Sequence, residues 1–344
     1  MRVLVTGTDG YIGIVLASFL LKRGYDVVGL DTGFYRDAWL YNNGVSILPS
    51  VQNKDLRRMT VDDVAGTDAV VHLAELSNDP LGQLSPHITY AINHQGSVAL
   101  AQLCKAAGVP RFVYTSSCSV YGIGGGSAYK TETSTPQPQT AYAECKVLVE
   151  REVSAMADAT FSPTFLRNAT AYGPSPRMRF DLVLNNLAGL AWTTKKIHMT
   201  SDGTPWRPLV HVLDICEAIA CTLEAPRQVV HTRSLMSVKP AKTIRCGRLL
   251  RSWLRCSPTA TSSSAQVMAI TAATVCHLTK LPHTYLAFNV GAMWPSGHAN
   301  CTPSLNALGC HATSSSPVPT LASNKSNISV LPVRLTSAFS GNNS

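Results

Sequence analysis

The sequence predicts an α/β protein built on a doubly wound parallel sheet, with a smaller, incomplete C-terminal domain. Three observations carry this. Short β-branched runs alternate with helical stretches through the first two thirds of the chain, the pattern that sets helices on both faces of parallel strands. A glycine-spaced turn, TGTDGYIG, stands between the first strand and the first helix, where a Rossmann-type sheet places it. All 20 acidic residues lie between Asp9 and Glu224, so an ordinary folding composition stops near there.

Taken in order, Arg2 to Thr6 (RVLVT) reads as a strand, and IVLASFLLKRG has the apolar spacing of a helix ending at Gly24. DVVGL, from Asp26 to Leu30, is the second strand and ends at Asp31. Further strands are expected at Val45–Leu48, Ala69–Leu73, Arg111–Thr115 and Phe161–Leu166, the last running into Asn168–Pro174. IGGGS, Ile123 to Ser127, reads as a flexible loop and Gln139–Ala155 as a helix. The division that follows is a dinucleotide-binding domain over 1–167, a partial substrate domain over 168–229 interleaved with it, and a tail over 230–344.

The 120 residues after Glu224 hold 11 Lys and Arg and no acid, and the Ser, Thr, Ala and Pro of the tail follow no strand or helix period. A low-complexity segment fits; so does a frameshift near codons 228–235. Read one base out of frame, codons for Leu235–Pro258 can spell NVGQTGENYQVREIAEIVAEVFP, and those for Gln266–Lys280 can spell SDGDNRSYRVSFDK. Both strings restore acids and foldable patterning. On this reading the tail does not pack, and the chain as written is an inactive product that still binds the dinucleotide.

The formal charge of +9 comes from that tail, so it does not predict a nucleic-acid face, which mixes basic with aromatic and acidic groups on a folded scaffold. Ten cysteines occur with no CxxC pair and no secretory leader, as expected of reduced thiols in a cytoplasmic protein. No apolar run reaches the ~18 residues of a membrane span, and no metal site is expected.

The chemistry begins at the glycine turn. Gly7 permits the tight turn, Gly10 lets the backbone approach a pyrophosphate, and Gly13 allows close helix packing, with Tyr11 and Ile12 between them. Asp31 at the end of the second strand can accept bonds from both ribose hydroxyls and repels a 2′-phosphate, which favours NAD over NADP. TAYAECK puts Tyr142 and Lys146 one helical turn apart on one face. A tyrosine of ordinary pKa ~10 is a poor base at neutral pH, but an adjacent ammonium and a nicotinamide cation favour its phenolate. Ser117, in VYTSSCSVYG, is placed to hold the reacting oxygen while Tyr142 moves the proton.

With these motifs the chain resembles the extended short-chain dehydrogenase/reductases, in particular the NAD-dependent epimerase/dehydratase family acting on nucleotide sugars. The resemblance spans about 1–227 and rests on TGTDGYIG, Asp31, KDL at Lys54–Leu56, VVHLAELSNDP, INHQGS, VYTSSCSVYG, YAECK, LRNATAYGP and RPLVHVLDI in the family's order. It implies that Asp55 and Leu56 border the adenine, that Leu73 and Ala74 line the cofactor cleft, that Lys146 also holds the nicotinamide ribose, and that Asn93 supports the serine. It also implies a nucleoside-diphosphate-sugar partner, with Arg207, and Arg179 beside Arg177, near the diphosphate. Family members are often homodimers through the helix carrying the tyrosine.

Two positions depart from the family: Thr170 where Asn is common, and Glu75 where a small residue is usual. Its 4,6-dehydratases carry an Asp-Glu pair after the active-site Ser or Thr, whereas this chain has Cys118 and Ser119. Neither side chain replaces a tuned carboxylic acid near neutral pH, so dehydration is disfavoured. Epimerisation at C4 is the leading expectation, with sugar oxidation or reduction as the rival.

Overall fold

The computed structural model describes residues 1–41, 48–77, 79–122, 130–194, 206–237 and 243–245, with backbone alone at 79–81, 206–207 and 243–245. The expected loop at Ile123–Ser127 and most of the tail lie outside the described residues.

Seven strands form the main sheet: β1 (Arg2–Thr6), β2 (Asp26–Asp31), β3 (Ser50–Asn53), β4 (Ala69–His72), β5 (Arg111–Ser117), β6 (Ser162–Asn168) and β9 (Ser234–Met236). They lie in the order β3-β2-β1-β4-β5-β6-β9, with every pairing parallel. The strand order reverses between β1 and β4, so a crevice opens at their carboxyl ends, where parallel sheets receive ligands. β7 (Thr170–Tyr172), β8 (Trp206–His211) and β10 (Thr243–Arg245) form a second sheet in the order β10-β8-β7.

Period-two alternation builds both faces of the core. Val3 and Val5 of β1 pack with Leu16 and Leu20 of helix α1 (Gly13–Lys22), and with Ile215 and Ile219 of a later helix (Val212–Glu224). Leu4, one residue out of phase, faces Phe112, Tyr114 and Leu100 on the opposite side, with Val149 of the helix Ala141–Ala155. These strands are buried on both faces and read as continuous apolar runs.

The strand expected at Val45–Leu48 falls on residues 42–47, which lie outside the described residues, save for Leu48; the described segment paired with β2 is Ser50–Asn53. Among the described residues it pairs with β2 alone, and an edge strand needs little apolar content. The expected helix at Gln139 starts at Ala141, because the Thr140 hydroxyl caps it by accepting from Ala143 N at 3.2 Å. Ordered chain also extends past residue 230, since β9 pairs with β6 through Phe165 to Arg167. Among the described residues no helix is long and apolar enough to cross a membrane.

Candidate active site

A cavity of about 910 Å³ opens at the carboxyl ends of the strands, and the glycine turn forms one wall. Gly7 sits at φ +78°, and the backbone nitrogen of Ala74 lies 2.9 Å from where its Cβ would stand. A Cβ on Gly13 would run into the Gly7 carbonyl. Side chains are therefore excluded at both positions, which leaves backbone amides and the start of α1 facing the cavity, a setting suited to a pyrophosphate. Tyr11 ties this turn to the segment after β7 and to the helix that follows it. Its hydroxyl donates to Gly173 O at 2.8 Å and accepts from Asn185 Nδ2 at 3.2 Å, while its carbonyl accepts from Ser175 Oγ at 2.8 Å.

Asp31 ends β2 at the cavity edge. Its Oδ2 accepts from Asp9 N and its Oδ1 from Gly33 N, each at 2.9 Å, which fixes the carboxylate and leaves lone pairs for vicinal hydroxyls. Burial and the nearby Asp31 charge raise the pKa of Asp9, against the pull of Arg36 at 2.9 Å. Gly10, Ile12, Asp55, Leu56, Leu73 and Ala74, the other residues expected along a dinucleotide, all line the same cavity.

Further along, β5 ends at Ser117, whose Oγ accepts from Ser119 N at 3.1 Å. Tyr142 stands in the first turn of the facing helix and lines the same cavity as Ser117. Lys146, one turn on, is fully enclosed, with Nζ 5.3 Å from the Tyr142 ring centroid and a hydrogen bond to the Thr115 carbonyl. Burial raises the Tyr142 pKa and Glu75 adds to that, while Lys146, Arg179 and the nearby Ser117 hydroxyl pull it down. Burial disfavours the Lys146 ammonium, but Glu75 and Tyr142 outweigh it and hold its pKa above the ordinary value. The structure thus brings the expected serine, tyrosine and lysine together on one wall.

Other expected residues have defined partners of their own. Asn93 clamps the Leu76 backbone, accepting from its N–H and donating to its carbonyl, both at 2.8 Å. Arg179 lines the cavity, but its guanidinium is held by Asp181 at 2.6 Å and by Ser77 Oγ at 2.8 Å. Arg207 lies on β8 opposite Ile244, and its side chain is outside the described residues. Cys118 turns its thiol to the Arg167 carbonyl at 3.4 Å, and burial pushes its pKa up to about 12. It therefore has no role as an acid or base near neutral pH.

One further cavity residue was absent from the expected set. Asn168 is the register partner of Ser117 across β5 and β6, and its Oδ1 is buried with no partner among the described residues. Its place at the end of a central strand was the available signal. Arg177 stacks 4.4 Å over the Tyr35 ring, with Nε likewise buried and unpartnered among the described residues. Only the fold shows that those two loops meet.

The model of the NAD dependent epimerase/dehydratase family matches residues 3–236. A UDP-glucose 4-epimerase of Neisseria meningitidis serogroup C is 28% identical, over 68% of this chain and 76% of that protein. One from Mycolicibacterium smegmatis is 32% identical, over 63% of this chain and 72% of its own length. Among solved structures, MoeE5 in complex with UDP-glucuronic acid and NAD superposes with a TM-score of 0.64 at 27% identity, covering 74% of this chain and 82% of that one. The match over more than half its length, together with the glycine turn and the cavity it borders, makes this chain a member of the NAD dependent epimerase/dehydratase family.

Proposed function

We propose that the chain inverts C4 of a nucleoside-diphosphate sugar. The reading rests on one observation above the rest: Ser117, Tyr142 and Lys146 line one cavity, with the Lys146 ammonium beside the Tyr142 ring, while the positions after Ser117, Cys118 and Ser119, carry no carboxylic acid. The relatives named as UDP-glucose 4-epimerases support the same choice.

The side-chain-free glycine wall and the fixed Asp31 carboxylate fit a dinucleotide, with Asp31 on the adenosine ribose and Lys146 on the nicotinamide ribose. NAD held there would supply a reversible hydride acceptor for the sugar carbon. Tyr142 takes the proton of the C4 hydroxyl and gives it back at the end. Ser117 holds that oxygen throughout, so that it does not drift as its charge changes. Lys146 lowers the cost of the phenolate by its charge. Arg179 and Arg207 are assigned to the diphosphate; Arg179 makes that contact only by exchanging part of its present hold on Ser77 and Asp181.

The test is incubation of the purified full chain with UDP-galactose, with and without added NAD, followed by separation of the nucleotide sugars. UDP-glucose formed without absorbance growing at ~340 nm supports epimerisation, because the hydride is returned. Absorbance that grows in step with product replaces it with the dehydrogenase reading.

A further inference from the structure

Glu75 is an unexpected occupant of the catalytic wall. It follows β4 in the stretch HLAE, lines the cavity, and its side chain is only 3% exposed. Both of its oxygens are committed: Oε1 accepts from the Tyr114 hydroxyl at 2.6 Å, and Oε2 meets Lys146 Nζ at 2.5 Å. An ammonium has three hydrogens to give. Here Glu75 takes one and the Thr115 carbonyl another, and the ring of Tyr114 lies 4.4 Å from the same nitrogen. The lysine assigned to the nicotinamide ribose is thus already neutralised by an enclosed carboxylate. The same carboxylate places a negative charge in the wall that an anionic dinucleotide must approach.

We propose that Glu75 is a positioning residue that competes with the dinucleotide for Lys146, so that cofactor gains the ammonium against the pull of a buried carboxylate. The inference rests on the assignment of Lys146 to the cofactor made above. It gives the departure at residue 75 a defined consequence: weaker, pH-dependent retention of NAD.

The pH dependence follows from the groups on that wall. Burial raises the Glu75 pKa, against the opposing pull of Lys146 and Tyr114, so the carboxyl becomes neutral at a higher pH than an ordinary glutamate and then releases the ammonium. The titratable groups beside it are shifted away from neutrality, and the charged groups beyond them are ion-paired. Tyr114, Tyr142 and Lys146 all have raised pKa values, burial pushes Cys145 up to about 12, and burial brings His72 on β4 down to about 3. Arg179, across the cavity, is ion-paired with Asp181, and Glu150, farther along the Tyr142 helix, with Arg167. Asp9 titrates on the far side of the glycine turn, but identically in every Glu75 variant.

The experiment is equilibrium binding of NAD to the full chain, followed by quenching of tryptophan fluorescence, for wild type, Glu75→Gln and Glu75→Ala from pH 5 to 9. At pH 8 both variants are expected to bind about tenfold tighter, the change made by one pK unit of differential interaction. Wild-type affinity is expected to rise toward theirs as pH falls, while the variants show no such approach. Equal or weaker binding by both variants overturns the proposal, and so does a wild-type profile parallel to theirs. Should a variant fail to fold, the wild-type titration alone decides, because affinity independent of pH overturns the competition. If neither wild type nor the variants bind NAD, the assignment of the cavity to the dinucleotide falls as well, an outcome distinct from all forms binding alike.

Discussion

Glu150 and Arg167 form a two-point ion pair inside the protein, with Nη2 to Oε2 at 2.6 Å and Nε to Oε1 at 3.0 Å, and both side chains at or below 10% exposure. Ser116 of β5 and Ser234 of β9 donate to the same carboxylate, at 2.5 and 3.0 Å. One helix residue therefore fastens three neighbouring strands. Glu150→Gln leaves the guanidinium buried and half-partnered, and is expected to cost about 3–5 kcal/mol in urea unfolding. Glu150→Met with Arg167→Met should cost far less than that single change, because two apolar side chains strand no charge. A double variant as unstable as the single would refute this account.

Tyr142→Phe removes the proton carrier and keeps the ring. Turnover of the nucleotide sugar is expected to fall by about 10²–10⁴, while NAD binding stays within a few-fold of wild type. Single-turnover kinetics and fluorescence titration on the same preparation separate the two effects. Activity near the wild-type level would remove Tyr142 from the mechanism.

Asp31→Asn keeps the shape at the end of β2 but removes the charge that repels a 2′-phosphate. Weaker NAD binding, by about tenfold for the loss of a charge-assisted bond, is expected together with a narrower preference over NADP. The ratio of the two dissociation constants reports it, and an unchanged ratio would contradict the assignment of this carboxylate to the ribose.

Stability should fall on mild acidification because of His72. Its ring is buried between Thr6 Oγ1 at 2.7 Å and Ser97 Oγ at 2.8 Å, and burial and Lys146 lower its pKa from 6.5 to about 3. The unfolded chain takes up a proton below about pH 6.5 that the folded chain refuses. This group's contribution is therefore complete above that pH, and is lost as pH falls from there toward 3. The slope approaches a tenfold change in the folding constant per pH unit. Denaturation at pH 5, 6 and 7 should show the loss in wild type and less of it in His72→Gln.

The frameshift reading of the tail is tested at the gene. Coding DNA sequenced around codons 225–240 should carry one base lost or gained, and a chain rebuilt in the alternate frame should turn over nucleotide sugar faster than the chain as written. An intact frame in independent clones removes that reading.

What was legible in the sequence was local. Tyr142 and Lys146 share a face because 3.6 residues make a turn, Asp31 ends an apolar strand, and three glycines follow another, so each could be placed from neighbours alone. The edge strand at Ser50–Asn53 was missed because polar residues suffice where only one neighbour pairs. Contacts between distant segments were hidden for a different reason: Glu75 on Lys146, Arg179 on Ser77 and Asn93 on the Leu76 backbone arise from the packing of separate elements. No spacing rule reports them.

The bonds that Tyr11 makes to Gly173, Asn185 and Ser175 join the glycine turn to the segment after β7 and to the helix that follows it. Substitutions at Tyr11 and at Asn185 disturb one shared network, so their free-energy costs will not be additive. Mechanically, the joined segments behave as one piece: loosening one slackens the others.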